Sequence, residues 1–157
     1  IASRAFAATA GRRSDQGGLS TQTGALEELS VREFGFNDQW DPVNSADRSK
    51  PYFYWWLRYG SEESVGYVFE KPEKVGSVEV YWLDFDHYDG NYRVPESWEL
   101  YYEKDNRWYP VEALTEYTVA KDRYHILEFN PLITRALKLS VKLQEGASGG
   151  IIEWKVK

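Results

Sequence analysis

Residues 137–143, Leu137-Lys138-Leu139-Ser140-Val141-Lys142-Leu143, alternate apolar and polar without a break. Successive side chains of an extended chain point to opposite faces, so this run predicts a strand with one dry face and one wet face. The same period recurs outward in both directions. Downstream, Ile152, Trp154 and Val156 alternate with Glu153 and Lys155 after a glycine-rich segment, Gly146-Ala147-Ser148-Gly149-Gly150, that reads as a flexible loop. Upstream, residues 124–129 form another candidate. Before them, Asp105-Asn106 is a turn joining a strand with Trp98, Leu100 and Tyr102 on one face to residues 107–111. Earlier still, Val78, Val80 and Trp82 alternate with Ser77, Glu79 and Tyr81. Val65, Tyr67 and Phe69 do the same against Gly66, Val68 and Glu70, until Lys71-Pro72-Glu73-Lys74 ends that strand. Seven or eight short strands separated by turn signals predict an all-β fold, an antiparallel β-sandwich.

The first sixty residues are less periodic. Residues 7–10 read as an opening strand, residues 11–24 as an exposed loop rich in Gly, Ser and Thr, and Ala25 to Leu29 as one helical turn. The chain has 157 residues, within the range of one domain, and residues 1–157 are read as a single unit. It opens on Ile1 without a methionine, as a piece of a longer protein would. Aromatic residues make up 17% of the chain and methionine is absent, which favours pleated layers and flat binding surfaces over helical packing.

Charge and composition exclude whole classes of function. With 19 basic and 25 acidic residues the net charge is -6, which opposes binding to nucleic-acid phosphates or anionic lipid. No run of residues reaches the length of apolar sequence that a spanning helix needs, so no membrane insertion is expected. Cysteine is absent, which removes thiol nucleophiles, disulfides and cysteine zinc sites. The two histidines, His87 and His125, belong to no metalloprotease or hydrolase motif, and no phosphate-cradling glycine loop is present. A non-catalytic chain is expected.

Three segments could carry binding. In residues 84–93, Asp84, Asp86, His87, Tyr88, Asp89, Asn91, Tyr92 and Arg93 crowd into one connection. A helix-loop-helix calcium site fails on spacing, because Tyr88 and Pro95 stand where ligands are needed. Vicinal hydroxyls of a sugar suit bidentate Asp, Asn and Arg hydrogen bonds, and its C–H faces suit aromatic rings. A solvated loop with local turns and ion pairs is the alternative. In residues 36–47, Asp38, Asp41, Asp47 and backbone oxygens could hold a hard cation such as Ca²⁺, or else form an Asx-rich surface loop. Finally, Trp55 and Trp56 are adjacent, so one should enter the core and the other should be more exposed, as a stacking platform or as rim packing.

These regions, taken in order, resemble the galactose-binding-like sandwich of the coagulation factor V/VIII C-terminal (discoidin) superfamily and carbohydrate-binding module family 32, a jelly-roll. The residues carrying the resemblance are Val78-Glu79-Val80-Tyr81-Trp82, Arg93-Val94-Pro95-Glu96-Ser97-Trp98, Trp108-Tyr109-Pro110-Val111 and Gly149-Gly150-Ile151-Ile152-Glu153-Trp154-Lys155-Val156. They look most like the sandwich appended to bacterial glycoside hydrolases such as family 127. The resemblance implies a fused catalytic domain, a plant or host glycan as partner, and a secreted, periplasmic or cell-surface bacterial location. It implies a structural calcium held by Asp38, Ser45 and Glu153, although Gln39 stands where a glycine is usual. It implies sugar contacts from the stretch Asp86 to Arg93, by region and not residue by residue, with stacking from Trp40, Trp56, Tyr88 or Tyr92, or else no galactose-type site. Docking against the fused catalytic partner without sugar is the alternative function.

Overall fold

A computed structural model describes residues 3–6, 40–55, 58–88 and 90–157. These form nine strands: β1 (Ser3–Phe6), β2 (Phe53–Tyr54), β3 (Glu62–Trp82), β4 (Phe85–His87), β5 (Gly90–Tyr92), β6 (Ser97–Lys104), β7 (Arg107–Pro110), β8 (Tyr124–Lys142) and β9 (Gly150–Val156). No helix occurs among the described residues, so none is long and apolar enough to cross a membrane. The expected helical turn at Ala25 and the opening strand at residues 7–10 lie outside the described residues, as do Asp38 and Trp56.

Every strand pairing among the described residues is antiparallel, in the order β2-β9-β3-β8-β6-β7, with β1 on β3 and β4-β5 as a separate hairpin. The expected sandwich is present, with one change. The two candidates on either side of Lys71-Pro72 are a single strand, and so are residues 124–129 and 137–143. Residues 62–68 of β3 pair with 136–142 of β8, and 73–81 pair with 124–134, with register shifts between Val68 and Glu73 and between Val75 and Ser77. Proline has no N–H for the ladder, so Pro72 stands at the first interruption, where the ladder bends without ending. Each long strand therefore serves both layers.

Ring contacts across the interior show the layers facing each other. Tyr67, in the first half of β3, meets Trp154 of β9 at 5.3 Å between centroids, and Trp82, in its second half, meets Trp98 of β6 at 5.7 Å. Around them Val65, Val80, Leu100, Leu127, Leu139 and Val141 are fully buried. Trp55 joins this core.

Strand β9 corrects the expected alternation. Tyr81 pairs with Glu153 but Trp82 with Ile151, so a bulge inserts one residue. That insertion flips the faces. Ile151 and Trp154 both enter the main core, whereas Ile152 packs with Tyr81, Leu83, Phe85 and Tyr92 in a second cluster. The glycine segment before it is likewise no loose loop, because Ala147, Ser148, Gly149 and Gly150 are buried. A Cβ on Gly150 would lie 2.3 Å from the Phe53 carbonyl oxygen, so glycine here allows β2 to approach closely.

Candidate functional site

Past Trp82 the chain leaves the sandwich. Leu83 N–H donates to Gly150 O at 2.9 Å, Asp84 N–H donates to Ser45 O at 2.8 Å, and the chain then turns into the β4-β5 hairpin. Phe85 pairs with Tyr92, Asp86 with Asn91 and His87 with Gly90. Residues 84–88 and 90–93 thus form a hairpin at the sandwich end, and alternation sorts their side chains. One face is aromatic and packed: Phe85 stacks on Tyr92 at 4.9 Å, meets His87 edge-on at 6.0 Å, and carries the Arg48 guanidinium 4.4 Å above its ring. Tyr54 closes on Tyr92 from the other side at 5.7 Å. Tyr92, expected as a stacking face for sugar, is therefore buried, its ring covered by Phe85 and Tyr54.

The opposite face is polar. Asp86 and Asn91 stand side by side in register, and Arg93, two residues beyond Asn91, donates from Nη2 to Asp86 Oδ1 at 2.5 Å. Its Nη1 donates to Tyr92 O at 2.9 Å. The hydrogen bond to Asp86 pushes the Arg93 guanidinium upward, despite some opposing desolvation, so it stays charged. Asp86 remains 77% exposed and Arg93 33% exposed at the side chain, so the pair is fixed yet open to a ligand. At the tip Tyr88 is 95% exposed, its ring 4.2 Å from His87.

Beneath this face lies Asp84, a buried carboxylate. Its Oδ2 accepts the Val94 amide at 3.0 Å, and its Oδ1 faces Arg93 Nη1 at 3.7 Å and Lys121 Nζ at 3.4 Å. Two cations, one from the same hairpin and one from a distant segment, thus meet one buried charge. Lys121 was not legible as part of a site: nothing local in residues 118–123 marks it, because its contact spans 37 positions of sequence (121 less 84). Arg48 was missed for the same reason.

In the acidic segment before β2 the described carboxylates have protein partners. Asp41 accepts from Tyr124 Oη at 2.8 Å and pairs with Lys155 Nζ, hydrogen bonds that hold it below the ordinary carboxylate range. Asp47 accepts from Val43 N, Ser49 N and Ser49 Oγ at 2.8–3.0 Å, closing its own turn. Ser45, expected to offer its hydroxyl to a cation, accepts the Asp122 amide with it at 2.7 Å. Its own N–H donates to Asp122 Oδ1, also at 2.7 Å. This clasp ties the 40–50 segment to residues 118–123. Glu153 is buried in β9. Among the described residues no three acidic or imidazole side chains cluster together. Trp40 is half-buried, with Lys50 Nζ 6.0 Å from its ring centre.

His125 is buried. Its Nδ1 meets Thr118 Oγ1 at 2.7 Å, and its Nε2 lies 3.0 Å from Ala120 N and 2.9 Å from Ala120 O. The imidazole fastens residues 118–120 to β8.

No family model matches the chain, and no curated protein matches it in sequence. Its fold is similar to that of a chain from the Streptococcus pneumoniae β-galactosidase BgaA, at 14% identity over 99% of this chain and 96% of that one, with a TM-score of 0.63. It is also similar to the family 32 carbohydrate-binding module of C. perfringens NanJ, solved with galactose, at 14% identity over 71% and 81% of the two chains and a TM-score of 0.52. A third likeness is to chitosan-binding module 1 of a Paenibacillus sp. IK-5 chitosanase/glucanase, at 12% identity over 71% and 78% and a TM-score of 0.51. At such identities the likeness is one of fold: an antiparallel sandwich shared with carbohydrate-binding modules.

Proposed function

We propose that this domain is a non-catalytic carbohydrate-binding module, secreted or displayed at a bacterial cell surface, that holds a fused glycoside hydrolase near its glycan. The observation that carries the reading is the polar face of the β4-β5 hairpin. Asp86 offers acceptors, Asn91 offers both, and Arg93 offers donors already aligned by Asp86 and Tyr92 O, beside the exposed Tyr88 ring. Hydroxyl pairs of a sugar match that set, and the Tyr88 ring suits its C–H face. His87 lies on the aromatic face with Phe85 and reaches this surface only at the hairpin tip, where its ring backs Tyr88. A shallow site of this kind binds weakly alone and serves by raising effective concentration for a tethered enzyme.

The test is a glycan array of plant and host sugars probed with the whole chain, then with Arg93→Ala and Asp86→Asn. A hydrogen bond to a charged group contributes about 1.5–3 kcal/mol, so each substitution should weaken binding roughly tenfold or more while the circular dichroism spectrum holds. Silence across the array would favour the second reading, docking against the catalytic partner. One feature supports that alternative: an apolar groove of about 450 Å³ walled by Tyr102, Tyr109, Phe129, Pro131 and Leu132, beside Ile133, which is 69% exposed.

We further propose that Glu153 and Asp38 share a structural Ca²⁺. Support comes from the chemistry of Glu153, a carboxylate on the last strand taken out of water, where a cation is one means of compensating its charge. A cation bound only by the folded state stabilises it by mass action, so EDTA should lower the melting temperature and added Ca²⁺ restore it. An unchanged transition would remove the calcium from the account.

A further inference from the structure

A groove of about 730 Å³ begins where the hairpin face stops. One wall opens at Val94, the residue after Arg93. The Val94 N–H is held by Asp84 Oδ2 and its carbonyl accepts Gln144 Nε2 at 2.8 Å. The other wall carries Val119, two residues before Lys121, whose ammonium also meets Asp84. Both walls therefore start from the carboxylate that underlies Arg93. The groove runs past Glu96 to Glu145 and Lys142. Lys142 also lines a second groove of about 460 Å³, which holds Glu62, Trp98, Glu99, Tyr101 and Tyr117. Lys142 is tied back by a 2.7 Å hydrogen bond from Nζ to Gly60 O, and the Tyr101 hydroxyl donates to Glu99 at 2.8 Å, so the floor at this junction is fixed.

We infer that the two grooves are one continuous binding path leading away from the hairpin, so that the domain grips an unbranched glycan chain of several sugar units, free of acidic groups, along its length. The inference rests on the sugar-binding reading of the hairpin and extends it. Each groove falls within the 300–1,000 Å³ typical of a small-molecule site, so the path exceeds what a single sugar ring fills. The first groove offers acceptors for hydroxyl or ammonium groups, Glu96 and Glu145, and the second adds Glu62 and Glu99 together with the rings of Trp98, Tyr101 and Tyr117. Four carboxylates against one lysine repel uronate or sulfate groups, which sets the charge of the chain the path accepts.

Calorimetric titration of the whole chain with two series, galactose and glucosamine oligosaccharides of one to six units, tests this. Affinity should climb at least tenfold from the monomer to the longest oligomer in a series that binds. Val119→Trp, which fills the first groove, and Glu96→Gln should each remove most of that gain. Arg93→Ala should weaken monomer and oligomer alike. Galacturonate oligomers should show no gain with length. Monomer binding with an affinity flat in length, or a gain untouched by Val119→Trp, overturns the extended path and leaves the hairpin site standing. A length gain of equal size for the galacturonates overturns the charge preference. Absence of binding at every length in both neutral and amino series overturns the path together with the hairpin reading beneath it.

Discussion

Asp84 organises the rim of the molecule: it is the buried anion on which Arg93, Lys121 and the Val94 amide converge, and through Ser45 its own amide reaches the 118–123 segment. That segment is fastened in turn by His125. Burial holds the His125 imidazole below its ordinary 6.5, with the Arg123 charge acting in the same direction against the hydrogen bond at Ala120. The unfolded chain thus takes up a proton first as pH falls. Stability should be complete above about pH 6.5 and should decline below it toward the lower folded value. A melting-temperature series from pH 7.5 to 4.5 should fall on the acid side, and His125→Gln should flatten that decline. Equal slopes for both proteins would show that the imidazole carries no such role. Asp41, held low chiefly by Lys155 and Tyr124, acts in a separate window: its contribution is lost only below about 3.8. At this scale the sequence displayed residue types but not their partners. Asp84, Asp86 and Arg93 were visible as a local cluster, whereas Lys121, Arg48 and the Ser45–Asp122 clasp join through space and left no local mark.

At the scale of elements, the period-two runs identified β6, β9 and the halves of β3 and β8, because one-sided burial imposes that period on any strand with a wet face. The Asp105-Asn106 turn was equally legible. Both residues adopt positive φ, 50° and 63°, as the twist of a tight hairpin demands. What alternation did not reveal was the continuity of β3 through Pro72 and the bulge in β9, since an inserted residue leaves composition unchanged while exchanging the faces. Nor did it separate two uses of glycine. Gly150 permits contact, and its substitution by Ala would drive a Cβ against the Phe53 carbonyl at 2.3 Å and Leu83 Cδ2 at 2.9 Å. Overpacking of this sort costs about 1–3 kcal/mol, so Gly150→Ala should lower the melting temperature by several degrees. Gly146, at φ +70° with nothing within 4 Å of its Cβ position, should lose only the roughly 1 kcal/mol of left-handed strain on the same change. Urea denaturation of the two variants compares them directly, and equal losses would contradict the close-approach account of Gly150.

For the whole molecule, two layers share β3 and β8, and this holds the end of the sandwich rigid while the β4-β5 hairpin projects from it with its aromatic face packed down and its polar face outward. The acidic charge of -6 opposes a polyanion partner, and the aromatic content of 17% suits the proposed glycan, with its hydroxyls and C–H faces. That architecture could be read from the alternating strands, but the sorting of the hairpin into two faces could not, because it depends on which side of the hairpin the second cluster occupies. The central claim is that the outward face formed by Asp86, Asn91 and Arg93 grips glycan. The most direct measurement is a ¹H–¹⁵N correlation titration of the whole chain with the strongest glycan from the array. The account requires shift changes concentrated in residues 86–93, with the Arg93 guanidinium signal among the largest. Saturable binding whose changes fall instead around Tyr109 and Leu132, leaving the hairpin signals unmoved, would contradict it.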